Sequence, residues 1–383
     1  MVSESGRRKS RACLITWELR MRLLYVSGTY APNAFSGSEL SAHTLIRHLA
    51  QKHQFDVLVA SDERYAPPPS RRVLYDGVEI HGISHENRVD EIRNVVDSFA
   101  PDLIYTQPWW HDVALGVARE RNIPSILRLT DSSFPRDLIL SPRTRPAAVV
   151  AQTREMLNMA MGIGIKGVLL PAFIDLDRVR SRGKNADRRF VTMINPVREK
   201  GGFVFRDIVA RAPDRDFAVV QGWSSLRDAK GRFDLVKIKR AYESQGLAYD
   251  GWIPEEPDFT GLTNVTMITP RDAVHEIYDQ TRILLCPSLW KEQFGRVIFE
   301  AAANGVLVMA SGIPSLKENA GDAATFVDRF SRPKAWLKQI RRFDDPATYE
   351  KACRRGQAHV LEHYSLPAAG ISFLGLVYSL VGT

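Results

Sequence analysis

The sequence predicts a doubly wound α/β protein in two halves, each a largely parallel sheet covered by helices. Two observations carry this expectation. Short apolar runs of strand length alternate with helical patterns along the chain, the order that builds βαβ units. A charged stretch poor in large apolar groups, residues 176–188, then separates two series of such units of similar size. At 383 residues the chain is long enough for two domains, each with its own core.

Met21–Ser27 reads as a buried strand, followed by a loop from Gly28 to Gly37. Ser38–His53 reads as a helix with Leu40, Leu45, Ile46, Leu49 and Ala50 on one face. Phe55–Ala60 is the next strand, and the polar residues 62–72, with three consecutive prolines, form a loop. Arg72–His81 alternates around Asp76-Gly77, a hairpin signal. Strands at Asp102–Tyr105 and Ser125–Leu129 flank helical residues 111–121, and Ala148–Ala151 and Gly167–Leu170 end the first half. The second series runs through Phe190–Ile194, Asp216–Gln221, Val265–Ile268, Ile283–Cys286 and Val306–Ala310. Leu366–Val381 is amphipathic and without charge, as a core helix is. The expected units are a basic extension at 1–20, a first domain at 21–175, a linker at 176–188, a second domain at 189–365 and a closing helix at 366–383.

Hydrophobic content of 44% and charged content of 25% are globular values. A net charge of +8 favours polyanions in general: nucleic acid, acidic lipid or a phosphorylated substrate. Part of it is local, since Arg7, Arg8, Lys9, Arg11 and Arg20 face only Glu4 and Glu18 within the extension. Met21 opens the first strand and offers a second start. Three scattered cysteines, Cys13, Cys286 and Cys353, make neither a disulfide framework nor a metal site, which fits a reducing cytoplasm. No apolar run approaches the ~20 residues of a spanning helix, and no signal-peptide core is evident.

The most informative stretch runs from Pro287 to Gly305. An apolar strand ends in Pro287-Ser288, a short polar loop follows, and a helix opens near Gly295. Glu292 lies in the loop and Glu300 inside the helix. The amides of Phe294, Gly295, Arg296 and Val297 fall at the positive helix end, suited to an anion such as a diphosphate. Ser36-Gly37-Ser38-Glu39 opens the first long helix in a comparable way, with Gly37 allowing close backbone approach. After the first strand of the second half, Arg198 and Lys200 are cations suited to a diphosphate leaving group. Trp109, Trp110 and His111 leave a strand end of the first half, where they are suited to stack on a sugar or an aromatic acceptor. The fingerprint G-x-G-x-x-G is absent, which argues against a dehydrogenase.

Pro-Ser-x-x-x-Glu-x-Phe-Gly, Glu-Ala-x-Ala-x-Gly and Val306–Ser311 together resemble the signature of the retaining GT-B glycosyltransferases of family 4. The resemblance covers residues 21 to about 381 and is strongest over 283–312. It implies two Rossmann-like domains facing across a cleft, with the closing helix crossing back onto the first. By position, Glu292 would contact the transferred sugar, Glu300 the ribose, and the Phe294–Arg296 backbone the diphosphate. The family's Gly-Gly-x-Glu loop holds Ser36 in its first place but keeps Gly37. Its Arg-x4-Lys-Gly pattern keeps Lys200-Gly201 but holds Asn195 in the arginine place, so Arg198 would supply the missing charge. Its His-Asp pair is Thr130-Asp131 here, with Asp131 expected to orient an acceptor hydroxyl. Ile268 and Thr269 would lie near the base.

The implied reaction is transfer, with retention, of a sugar from a UDP- or GDP-linked donor to an acceptor hydroxyl. The expected acceptor is a saccharide, a lipid-linked saccharide or a small molecule. Leaving-group stabilisation would do the chemistry. No cofactor or metal is expected, there being no Asp-x-Asp triplet and no His/Cys cluster. The expected location is cytoplasmic, with peripheral contact to an anionic membrane as a further option and no nucleic-acid partner. Two other readings keep the scaffold: a GT-B epimerase or glycan phosphorylase, and a polyanion-binding protein on a degenerate transferase frame.

Overall fold

The computed structural model describes residues 20–32, 37–63, 72–130, 135–171, 174–180, 188–222, 226–244, 249–268, 274–290, 292, 294–364 and 366–382. Residues 1–19, Ser36, Asp131 and Thr269 lie outside the described residues, and so do 181–187 of the expected linker.

In the first half the strands are β1 (Met21–Ser27), β2 (Phe55–Asp62), β3 (Arg72–Tyr75), β4 (Val78–Ile83), β5 (Leu103–Thr106), β6 (Ser125–Leu129), β7 (Ala148–Ala151) and β8 (Lys166–Leu169). They form one sheet in the order β3-β4-β2-β1-β5-β6-β7-β8. Only β3 runs antiparallel, paired with β4 through the Asp76-Gly77 turn. Both turn residues have positive φ, 51° and 80°, as a two-residue hairpin turn requires. Leu23, Leu24, Tyr25 and Val26 of β1 are completely buried, because helices cover both faces of a parallel sheet.

The second half holds β9 (Phe190–Ile194), β10 (Phe217–Val220), β11 (Val265–Ile268), β12 (Thr281–Cys286), β13 (Leu307–Ser311) and β14 (Thr325–Val327). Their order is β11-β10-β9-β12-β13-β14, all parallel. β14 was not among the expected elements, since three residues are too few to show a period. The helix Pro333–Arg342 was also unexpected, although Trp336, Leu337 and Ile340 are spaced as one buried helical face.

Each sheet changes direction at its centre, between β1 and β5 and between β9 and β12. Ligands of doubly wound sheets bind beyond the carboxyl ends of strands at such points. The loops after these four strands carry most of the residues singled out above.

Two segments join the halves. Leu366–Val381 forms the closing helix, and its Phe373, Leu376 and Val377 enter the same core as Leu23 and Tyr25 of β1. The Phe373 ring lies 5.2 Å from that of Tyr105. The described start of the expected linker is a helical turn, which its composition did not suggest. Asp175 caps a helical turn, Leu176–Val179, by accepting from the Asp177 amide at 3.2 Å. Val179 is buried in the second core, and Arg47 of the first half pairs with Asp175. The charges occupy one side of this turn while Leu176 and Val179, three apart, pack inward.

Candidate functional site

The helix Arg296–Ala303 follows β12 through the loop 287–295. Gly295 starts it with φ 72°, a left-handed conformation that costs glycine little. No side chain among the described residues caps this end, and its first N–H groups face the cleft with the positive end of the helix dipole. The loop after β9 is pressed against the loop after β12. A Cβ on Gly201 would fall 1.9 Å from the Pro287 carbonyl oxygen, so only glycine permits this approach. Leu289 N donates to the Glu199 carbonyl at 2.9 Å and closes the contact.

That contact brings Lys200 to Glu292. The Lys200 ammonium pairs with Glu292 Oε2 and lies 4.8 Å from the centre of the Trp290 ring. Trp290 Nε1 and Ser288 Oγ donate to the same oxygen at 3.0 and 3.2 Å. Burial alone would raise the Glu292 pKa. The charge of Lys200 and the bonds from Lys200, Trp290 and Ser288 outweigh it and hold the carboxyl below its ordinary value. Cys286, at the end of β12, is pushed the other way, to about 12, first by burial and then by the Glu292 charge. Its thiol lines the cleft as a neutral group.

Glu300 lies deeper, at 6% exposure. Tyr278 donates its hydroxyl to Oε2 at 2.8 Å, and Arg296 donates Nε to Oε1. Burial, followed by the Glu300 charge, raises the Tyr278 pKa far above that of a free phenol, so it stays a donor. Glu300 thus backs the cleft without lining it.

The first half supplies the opposite wall. Gly37, Ser38 and Ser41 come from the start of the helix Gly37–Lys52, Gln107 and Trp109 follow β5, and Thr130 follows β6. Trp109 and Trp110 both have positive φ, 75° and 73°, a strained pair for bulky residues. Behind the wall Arg128 is buried, with Nη1 donating to the Ser38 carbonyl at 2.9 Å and to Gln107 Oε1 at 3.2 Å. Gln152, in the orientation that satisfies its amide, accepts from Arg128 Nη2 at 2.8 Å and donates to the Thr130 carbonyl at 3.2 Å. The two walls enclose about 600 Å³ and touch where Arg296 Nη1 donates to Ser41 Oγ at 3.2 Å.

Gly37, Ser38, Trp109, Thr130, Asn195, Lys200, Glu292, Phe294, Gly295, Arg296 and Val297 therefore share one cleft. Other expectations change. Arg198 turns away, donating Nε to Glu255 at 2.7 Å with its guanidinium 4.6 Å from the Phe203 ring centre. Its helical turn, Arg198–Lys200, points Lys200 into the cleft and Arg198 outward. Trp110 packs into the core with Val26 and Val113 rather than against an acceptor. His111 begins the helix His111–Glu120, and Ile268 ends β11, both away from the cleft lining. Roles for Trp290, Tyr278, Arg128 and Gln152 were not anticipated. Trp290 stands two residues before Glu292, within the stretch already singled out, and was the one legible signal.

Residues 259–358 match the family model described as "Glycosyl transferases group 1". No curated protein sequence matches the chain. Among solved structures, sucrose-phosphate synthase from Thermosynechococcus elongatus is similar at a TM-score of 0.72 and 15% identity, covering 95% of this chain and all (100%) of that one. Anabaena HepE in complex with UDP and glucose gives 0.69 and 13%, covering 94% and 100%. The catalytic domain of starch synthase IV from Arabidopsis thaliana, bound to ADP and acarbose, gives 0.66 and 11%, covering 95% and 100%. The chain has the GT-B glycosyltransferase fold. The segment that matches the group 1 model lies wholly in the second half.

Proposed function

We propose that this chain is a retaining glycosyltransferase of the family 4 kind, moving a sugar from an NDP-sugar to an acceptor hydroxyl. One observation supports this reading above the others. Two carboxylate–cation pairs, Lys200–Glu292 and Arg296–Glu300, flank an uncapped helix start at a cleft between two Rossmann-like halves. A ligand that brings phosphates for the cations and hydroxyl donors for the carboxylates matches all four groups, and a nucleotide-sugar is such a ligand. UDP is the first donor nucleotide to test, because the HepE structure holds UDP; GDP is the second.

In this reading the diphosphate lies against Lys200 and the first amides of the helix Arg296–Ala303. Glu292 accepts from sugar hydroxyls and Glu300 from the ribose. Gly37 and Ser38 approach the diphosphate from the other wall. The bond from the anomeric carbon to the phosphate oxygen breaks, and its electron pair leaves with the diphosphate. The acceptor oxygen bonds to the same face, and its proton passes to the departing phosphate oxygen. Lys200 and the helix amides offset the charge growing on the leaving group. This positive charge is the reason to propose a reaction that needs no metal. Trp109 and Thr130 face the acceptor, and Asp131 orients its hydroxyl. Peripheral contact of the basic extension with an anionic membrane belongs to the same proposal, as does a location in the cytoplasm.

The test is incubation of UDP- and GDP-sugars with candidate acceptors, with the anomeric configuration read by NMR. Glycoside with the donor's configuration supports the reading, and activity unchanged by a chelator supports metal independence. Release of sugar epimers or sugar phosphate without glycoside overturns it. Lys200→Ala is expected to lower kcat by roughly 10²–10³.

A further inference from the structure

Lys200 and Arg296 are the cationic side chains that line the cleft among the described residues. The loop after β9 offers no other. Asn195 is neutral, and Arg198 is committed to Glu255 and Phe203 on the outer surface. A diphosphate placed at the helix start would then meet one ammonium group and backbone amides, unless Arg296 takes part.

The placement of Arg296 suits it to that task. It is the first residue of the helix, beside the open amides, and its side chain is 13% exposed. Nε is held by Glu300 and Nη1 by Ser41, while Nη2 makes no hydrogen bond among the described residues. A guanidinium has five N–H donors in a rigid fork and matches phosphate oxygens bidentately. Its pairing with Glu300 also has a consequence for that carboxylate. Oε2 already accepts from Tyr278 and Oε1 from Arg296, so a ribose hydroxyl that approaches Oε1 meets the guanidinium beside it, and release of Arg296 opens that side of the carboxylate.

We propose that the Arg296 side chain is the second diphosphate-binding cation of the cleft, and that it exchanges Glu300 for the diphosphate as the donor enters. The exchange gives each charged group a new partner. The diphosphate replaces the carboxylate on Arg296, and a ribose hydroxyl replaces the guanidinium on Glu300. It also reaches the first half, because Arg296 contacts Ser41, whose Oγ donates to the Gly37 carbonyl at 2.7 Å. The Gly37 loop and the donor phosphates are thereby linked through one side chain. This inference rests on the nucleotide-sugar reading.

The test is calorimetric titration of the wild-type protein, Arg296→Gln and Arg296→Lys with UDP and uridine, and with GDP and guanosine. Thermal unfolding checks that the variants fold. Arg296→Gln is expected to weaken diphosphate binding by about tenfold or more, as for loss of a hydrogen-bonded charge, and nucleoside binding by less than about twofold. Arg296→Lys, which keeps the charge but not the fork, should fall between, and it decides the matter if the glutamine variant does not fold. Equal losses for diphosphate and nucleoside would mean that Arg296 acts only by holding Glu300. Unchanged diphosphate affinity would mean that it makes no contact; either result overturns the inference and leaves the nucleotide-sugar reading standing. Failure of the wild-type protein to bind any of the four ligands overturns both.

Discussion

At Glu292, burial and ion pairing pull the carboxyl in opposite directions, and pairing wins. The sign of the resulting pH dependence follows from that. A carboxyl whose folded pKa is lowered adds stability above its unfolded value and loses it as pH falls through the folded value. The melting-point gap between wild type and Glu292→Gln should therefore be flat from about pH 8 to 5 and close only below the ordinary value of 4.5. A gap that closes near neutral pH would show that another group controls the pair. Gly201 gives a second residue-scale expectation. Gly201→Ala places a methyl group 1.9 Å from a carbonyl oxygen at φ 85°, so the two loops must part. A loss of about 1–3 kcal/mol is expected in denaturant unfolding, with a larger loss of nucleotide binding because Lys200 moves with the loop. Position in the chain was legible at this scale, but side-chain direction was not. Trp109 and Trp110 are neighbours in one loop, yet one faces the cleft and the other the core. Arg198 and Lys200 share one helical turn and point to opposite sides. Such outcomes depend on what each side chain meets, Glu255 and Phe203 in the case of Arg198, and Glu255 lies 57 positions away.

Among the elements, strands with continuous apolar runs were read almost residue for residue. β1 and β9 have no polar face to confuse the period, because both sides of the sheet are covered. The Asp76-Gly77 hairpin was also legible, since the turn demands residues that tolerate positive φ. The charged segment 176–188 was read as a plain linker, yet its first turn is capped and anchored by Val179 and by the Arg47–Asp175 pair. In that turn Asp177 and Arg178 are exposed while Val179 is buried, so its composition reports only the outward side. The closing helix carries its own prediction. Phe373 is fully buried against Tyr105, so Phe373→Ala should cost about 3–5 kcal/mol in unfolding of the first half. Ile371→Ala on the exposed face of the same helix, at 69% exposure, should change little. Equal effects would mean that the helix does not dock as described.

On the scale of the whole molecule, the cleft lies between two sheets whose switch points face each other, and the described walls meet through Arg296 and Ser41. A donor gripping both walls should hold them together. UDP at about 100 times its dissociation constant should stabilise the protein by about 2.7 kcal/mol, read as a rise in melting temperature, and small-angle scattering should show a smaller radius of gyration. Stabilisation with no change in radius would place the donor on the second half alone. By itself the sequence determined the alternation of strands and helices, the two halves, the stretch holding Glu292 and the helix start, and the separate turn holding Lys200, because these follow from local period, chain reversal and helix-end chemistry. The tertiary structure alone decided which charges meet. Lys200 finds Glu292 across 92 positions, Arg296 reaches Ser41 across 255, and Arg198 is drawn off to Glu255. Pairing over such separations is set by the packing of whole elements, which no short window of sequence contains.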